Sequence, residues 1–169
     1  MLMFLLAGCN ASETPILTVT AANLSLNLTP NYNISSAPIA STGDGYVGQA
    51  IVINNTEKMN DSAMISILSF SDMSVLELDS DEILAFMDNM LFGMFRLAGA
   101  DEVETYNLSS NYNQNVTVRA FNIPDPEDTT SSDLAYITSL RLDQFNYLYI
   151  ISSDRNLTNS IVESLVLVE

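Results

Sequence analysis

Leu24, Leu26 and Leu28 alternate with Ser25, Asn27 and Thr29 until Pro30 ends the run, the period-2 signature of a half-buried strand. Residues 16–20 suit a short edge strand before it, whereas residues 35–48 carry Pro38, Gly43, Gly45 and Gly48 and predict a loop. Residues 49–53 and 64–70 are apolar enough for two strands, and the polar stretch 54–62 between them predicts a hairpin. The pattern then changes period. From Asp79 to Ala98 the apolar positions Ile83, Leu84, Phe86, Met87, Met90, Leu91, Met94, Leu97 and Ala98 fall on one broad helical stripe, with Ala85, Asn89, Phe92 and Arg96 opposite. Asp79 or Ser80 is the N-cap, Glu82 the acid of a capping box, and Gly99 stands where a helix ends. Residues 102–108 and 116–121 predict a second hairpin around the Asn-rich turn 109–115, and 135–142 with 147–151 a third, turning at 143–146. Ser153 or Asp154 caps a final helix with Leu157, Ile161 and Leu165 on one face.

Three strands, a helix, four strands and a helix imply an α+β domain with helices packed on an antiparallel sheet. The 169 residues suffice for one such domain, expected over residues 23–169. Composition then narrows the function classes. Five Lys plus Arg against 21 Asp plus Glu give a formal charge of -16, which leaves no basic footprint for nucleic acid. The absence of histidine removes Ser-His triads and His-ligated metal sites, and a single cysteine, Cys9, forbids an internal disulfide or a Cys-rich metal knuckle. Charged residues are only 15% while hydrophobics are 47%, so Asn, Ser and Thr supply the polar surface and the apolar share is enough for a core.

The beginning of the chain carries an address. Leu6-Ala7-Gly8-Cys9 follows an apolar run and resembles a prokaryotic lipobox, in which the thiol takes a diacylglyceryl group and the preceding segment is removed. Small Ala and Gly let a peptidase approach the backbone, and two acyl chains meet the requirement for stable anchoring. Residues 1–8 contain no Lys or Arg and are short for a signal, so the true start is expected upstream of Met1, with residues 9–22 as lipidated cysteine and tether. Asn-X-Ser/Thr sequons begin at Asn10, Asn23, Asn27, Asn33, Asn54, Asn60, Asn107, Asn115 and Asn156, nine where 17 Asn and 32 Ser plus Thr give roughly three by chance. The excess fits an exported protein of a lineage that N-glycosylates, such as an archaeon. A bland alternative is that Asn- and Thr-rich turns simply generate sequons.

Candidate chemistry is sparse. Asp125, Glu127, Asp128 and Asp133 form the densest acidic cluster, but a loop with Pro124 and Pro126 is an ordinary place for solvated acids, and no EF-hand spacing favours calcium. Met87, Met90 and Met94 have the softness Cu(I) favours, yet their place in the apolar stripe favours core packing, so no cofactor or metal is expected. Phe92 fits least well as core, because it falls opposite the stripe beside Ala85, Asn89 and Arg96; Phe92 and Arg96 are therefore the candidate partner surface.

Two segments carry a family resemblance. The opening Leu24-Ser-Leu-Asn-Leu-Thr-Pro30-Asn-Tyr32, and the ending Tyr147-Leu-Tyr-Ile-Ile-Ser-Ser153 followed by Ile161-Val-Glu-Ser164-Leu165, resemble Mog1/PsbP-like domains, including those in lipoproteins of methanogenic archaea. The resemblance covers residues 23–168 and implies an α/β/α sandwich around an antiparallel sheet of about six to seven strands with two main helices. The family's usual Trp near the first strand is absent, with Tyr32 in its neighbourhood, and the metal-binding histidines of some plant members have no counterpart. The expectation is a non-enzymatic interaction or accessory module, held by its lipid on the outer face of the cytoplasmic membrane beside a membrane or envelope protein partner. The alternative is a solute- or cation-binding lipoprotein serving a transporter.

Overall fold

In the computed structural model, residues 24–26, 28, 31–39, 46–58, 60–70, 79–112, 114–125 and 131–167 are described. In chain order the elements are β1 (Leu24–Ser25), β2 (Tyr32–Ile39), β3 (Tyr46–Asn55), β4 (Ser62–Phe70), α1 (Ser80–Leu97), β5 (Asp101–Ser109), β6 (Asn115–Pro124), β7 (Ser132–Arg141), β8 (Asn146–Ser152), α2 (Arg155–Ser164) and β9 (Val166–Leu167). Seven strands form one antiparallel sheet in the order β2-β3-β4-β8-β7-β6-β5. The sheet is thus two meanders, β2–β4 and β5–β8, joined where β4 pairs with β8. α1 is the crossover that carries the chain from β4 to the far edge. β1 and β9 pair separately, Leu24 with Leu167 and Ser25 with Val166, so both ends of the domain meet.

Alternation along the central strands sorts side chains between two layers. Leu148 and Ile150 join Ile51, Ile53, Ile65, Ile67 and Leu140 under α2, where Leu157, Ile161, Val162 and Leu165 are buried together with Leu24, Leu26 and Leu28. Tyr147 and Tyr149 point the other way, toward Ile83 and Met87 of α1. The α/β/α sandwich and its seven-stranded sheet are as expected. Because helices cover both faces, residues 137–140 of β7 are buried without a break, whereas edge strand β5 keeps a partial alternation.

The helix ends follow the predicted chemistry. Asp79 caps α1: its carboxylate accepts from the backbone N–H of Asp81 at 3.0 Å and Glu82 at 2.9 Å, while Glu82 accepts from the N–H of Asp79 at 2.8 Å. At the other end Gly99 takes φ +82°, with its N–H donating to Arg96 and that of Ala100 to Phe95, a Schellman stop that needs a residue free of Cβ strain. Of the two cap candidates for α2 it is Asp154 that accepts the Leu157 N–H, at 2.7 Å.

Two expectations are corrected. Residues 35–39 and 46–48 are not loop but parts of β2 and β3, registered Ser35 to Val52 and Pro38 to Gln49. β2 is an edge strand, so the N–H that proline lacks is not missed, and Pro38 blunts the edge against further pairing. The leucine alternation from Leu24 does bury all three side chains, but only Leu24 and Ser25 pair as a strand. Residues 16–20, 40–45 and 126–130, hence Glu127 and Asp128 of the acidic loop, lie outside the described residues.

Candidate functional site

The helix that crosses the sheet is rotated relative to its apolar pattern. Ile83, Met87, Leu91 and Phe92 are buried, whereas Phe86, Met90, Met94 and Leu97 are 60%, 44%, 60% and 91% exposed. Phe92, expected as an exposed partner residue, is 5% exposed; its ring stacks on Phe121 at 5.9 Å, and Phe95 stacks on the same ring at 5.6 Å. The physical reason lies in Asp88. It sits between Leu84 and Phe92 at steps of four, on the side turned to the sheet, where the Ser139 hydroxyl donates to it. A carboxylate there steers any hydrophobic pattern toward the opposite side, and only a tertiary partner makes its burial tolerable.

Around Asp88 the sheet supplies a polar cluster. The Arg119 guanidinium lies 4.2 Å above the centre of the Phe92 ring and 3.5 Å from Glu102, which also meets Arg96 at 3.4 Å and accepts from Thr105 Oγ1 at 2.7 Å. That hydrogen bond from Thr105 above all, with the two guanidinium groups, holds the Glu102 carboxyl below the usual carboxylate range. Arg96, the second candidate partner residue, is exposed as expected but engaged with Glu102. Asp88, Ser139 and Arg119 escaped the sequence reading; the one signal was a charge interrupting an otherwise apolar helix face.

Burial raises the Asp88 carboxyl above the ordinary aspartate value, against the opposing hydrogen bond from Ser139 and the charge of Arg119. A carboxyl that binds its proton more tightly folded than unfolded adds stability at pH below its unfolded value, and loses it as pH rises through the folded value. Asp88→Asn, whose amide oxygen still accepts from Ser139, is therefore expected to be more stable than the parent at pH 7. The advantage shrinks toward pH 3. Urea unfolding of both chains at the two pH values checks this, and a gain of equal size at both would show that burial of charge is not its source.

What remains in solvent is the other side of α1: Phe86, Met90, Met94 and Leu97 at steps of four, four and three, an apolar face 18 residues long at most. Met87 packs in the core as expected, but Met90 and Met94 do not. All five cations of the chain are ion-paired within it: Lys58 with Asp61, Arg96 and Arg119 with Glu102, Arg141 with Asp81, and Arg155 with Glu104. No group of His, Cys, Asp and Glu suited to a metal ion occurs among the described residues. Asn33, Asn54, Asn60, Asn107, Asn115 and Asn156 are all exposed, and the sequons at Asn107 and Asn115 face each other across β5 and β6, where Thr117 Oγ1 donates to Asn107 at 3.1 Å. Cys9, Asn10, Asn23 and Asn27 lie outside the described residues.

No family model matches the chain, and no curated protein matches it. Among solved structures it is similar to the solution structure of cyanobacterial PsbP (CyanoP) from Synechocystis sp. PCC 6803, at 10% identity and a TM-score of 0.49, over 96% of this chain and 98% of that one. A likeness at that score carries no argument about the site. The α+β assignment stands on the strand order and on the two helices lying on opposite faces. No helix among the described residues is long and apolar enough to cross a membrane.

Proposed function

We propose that this chain is a lipid-anchored, extracytoplasmic and non-enzymatic interaction module of a prokaryotic, archaeal-type cell envelope, with α1 as its docking face. The observation that carries the reading is the solvent-facing row Phe86, Met90, Met94 and Leu97, four large apolar side chains gathered on one helix, whereas the other exposed large apolar residues described, Met64, Val103, Leu134, Phe145 and Val166, come from five different strands and turns. The lipobox-like Leu6-Ala7-Gly8-Cys9 supplies the anchor, and the sequons suit an exported, glycosylated chain. The resemblance of both ends of the domain to Mog1/PsbP-like lipoprotein domains belongs to the same reading. In this scheme two acyl chains hold the domain at the membrane and raise its effective concentration for a neighbour, while the charge of -16 keeps it off anionic headgroups.

The test is fractionation and crosslinking capture from native membranes. The expected result is that the intact chain sits in the membrane fraction and enriches an envelope complex, that Cys9→Ser moves it to the soluble fraction, and that Phe86→Glu keeps it on the membrane without the complex. A Cys9→Ser chain that stays on the membrane overturns the anchor, and enrichment indifferent to Phe86 overturns the docking face. Should no complex be enriched while a solute raises the unfolding temperature, the transporter-serving alternative replaces this one; a ligand at 100 times its Kd adds about 2.7 kcal/mol.

A further inference from the structure

Six Asn-X-Ser/Thr sequons begin at described residues, and four of them make two cross-strand pairs, one in each outer hairpin of the sheet. In β2–β3, Asn33 is registered directly opposite Asn54; in β5–β6, Asn107 opposes Thr117 and Ser109 opposes Asn115. All four asparagines are exposed. A sequon offers two groups, the amide nitrogen that takes the sugar and the hydroxyl two residues on by which the acceptor is recognised. The hydroxyl divides each pair. For the inner-strand asparagines it is committed: Thr56 Oγ1, of the Asn54 sequon, donates to the Asn31 carbonyl at 2.9 Å, and Thr117 Oγ1, of the Asn115 sequon, donates to Asn107 Oδ1 at 3.1 Å. For the edge-strand asparagines, Ser35 and Ser109 are exposed and their hydroxyls bond to no described residue. The other two sequons are closed. Thr158, of the Asn156 sequon, is fully buried and donates to the Asp154 carbonyl at 2.9 Å. Asn60-Asp61-Ser62 is held by Ser153, whose Oγ accepts from the Ser62 N–H at 2.8 Å and donates to the Asn60 carbonyl.

We propose that Asn33 and Asn107, one on each edge strand, carry N-linked sugars added to the folded domain, while the other four described sequons stay bare. The proposal rests on the exported reading above, since a lipid-linked sugar phosphate and its transferase are met outside the cytoplasm. In the transfer Nδ2 bonds to the anomeric carbon, the bond from that carbon to the donor's phosphate oxygen breaks, the amide gives up one proton, and the lipid phosphate leaves with the electron pair.

Edge position favours these two asparagines. β2 and β5 are bonded along one side only, so 33–35 and 107–109 can lift toward an enzyme, whereas β3 and β6 are held on both sides. The bond from Thr117 occupies Oδ1 of Asn107 and leaves Nδ2, the atom that takes the sugar. A sugar on Asn107 stands about 7–8 Å from Asn115, its diagonal neighbour, and crowds a second chain there; Asn54, directly opposite Asn33, is closer still. β5 also guards only its first half, with Asp101, Glu102, Glu104 and the bulge between the two glutamates. Thr105 to Ser109 has no charge, proline or bulge against a strand added from outside, and a sugar at Asn107 covers that half.

Glycopeptide mass spectrometry of the protein from its own membranes, with electron-transfer fragmentation that leaves each sugar on its asparagine, tests the assignment. The expected result is sugar mass on Asn33 and Asn107 and none on Asn54, Asn60, Asn115 or Asn156. Expressed in the same host, Ser109→Ala is expected to lose the sugar from the intact Asn107, and Asn115→Gln to keep it. A bare Asn33 or Asn107, or an Asn107 sugar indifferent to Ser109→Ala, overturns the proposal. Sugar on any of the other four would show transfer ahead of folding and overturns it too. The peptide that begins at Cys9 reads the anchor independently. A diacylglyceryl Cys9 beside bare asparagines removes the sugars and leaves the anchored module standing, whereas an unmodified Cys9 beside sugar on Asn33 and Asn107 does the reverse.

Discussion

Phe121→Ala is expected to cost about 3–5 kcal/mol, a large part of the total stability of a domain this size. The Phe121 side chain is fully buried on β6 and is the surface on which α1 rests: Phe92 and Phe95, one turn apart, both stack on it with planes inclined by 26° and 28°. Truncation removes the ring's own burial, leaves a cavity that a seven-stranded sheet cannot collapse into, and forfeits two aromatic contacts of roughly 0.5–1.5 kcal/mol each. The loss spreads to the polar cluster, because Arg119 lies over Phe92 and reaches Glu102 from the same strand. Urea unfolding should show a lower midpoint at unchanged slope. A cost below about 1.5 kcal/mol would mean that α1 is seated elsewhere, since ordinary core truncations exceed it.

Local chemistry made much of this fold legible. Where a signal is contained within four or five residues, as in the capping box of Asp79 and Glu82, the stop at Gly99 or the turn at Asp143–Asn146, the chain adopts what its pattern predicts. β2 was hidden because Pro38 and the glycines after it are loop residues everywhere except at a sheet edge, and edge position is a property of the whole topology. The orientation of α1 was hidden for a related reason. Apolar residues occupy more than half of its circumference, so the pattern permits two buried faces. The decision falls to Asp88, which looks like a solvent residue until Ser139 on a strand 51 positions later donates to it. The candidate site inherited that error: the sequence pointed to Phe92 as the exposed aromatic, while the exposed aromatic of α1 is Phe86.

The same rotation predicts opposite fates for two methionines of one helix. Met87 is 3% exposed and packs with Ile83 and Tyr147; Met94, two turns on, is 60% exposed. Met87→Ala is expected to cost about 2–5 kcal/mol, by loss of buried surface and the cavity left behind. Met94→Ala should stay within about 0.5 kcal/mol of the parent, with alanine's better helix propensity offsetting the little surface lost. The comparison holds residue type, helix and substitution constant, so only the direction of each side chain from the helix axis separates the two. Equal costs, or the larger cost at Met94, would place the apolar row against the sheet. The docking partner proposed above could then not reach Phe86, Met90 and Leu97. The expected asymmetry leaves Phe86, Met90, Met94 and Leu97 as large apolar side chains exposed along one helix among the described residues, the face on which the proposed docking rests.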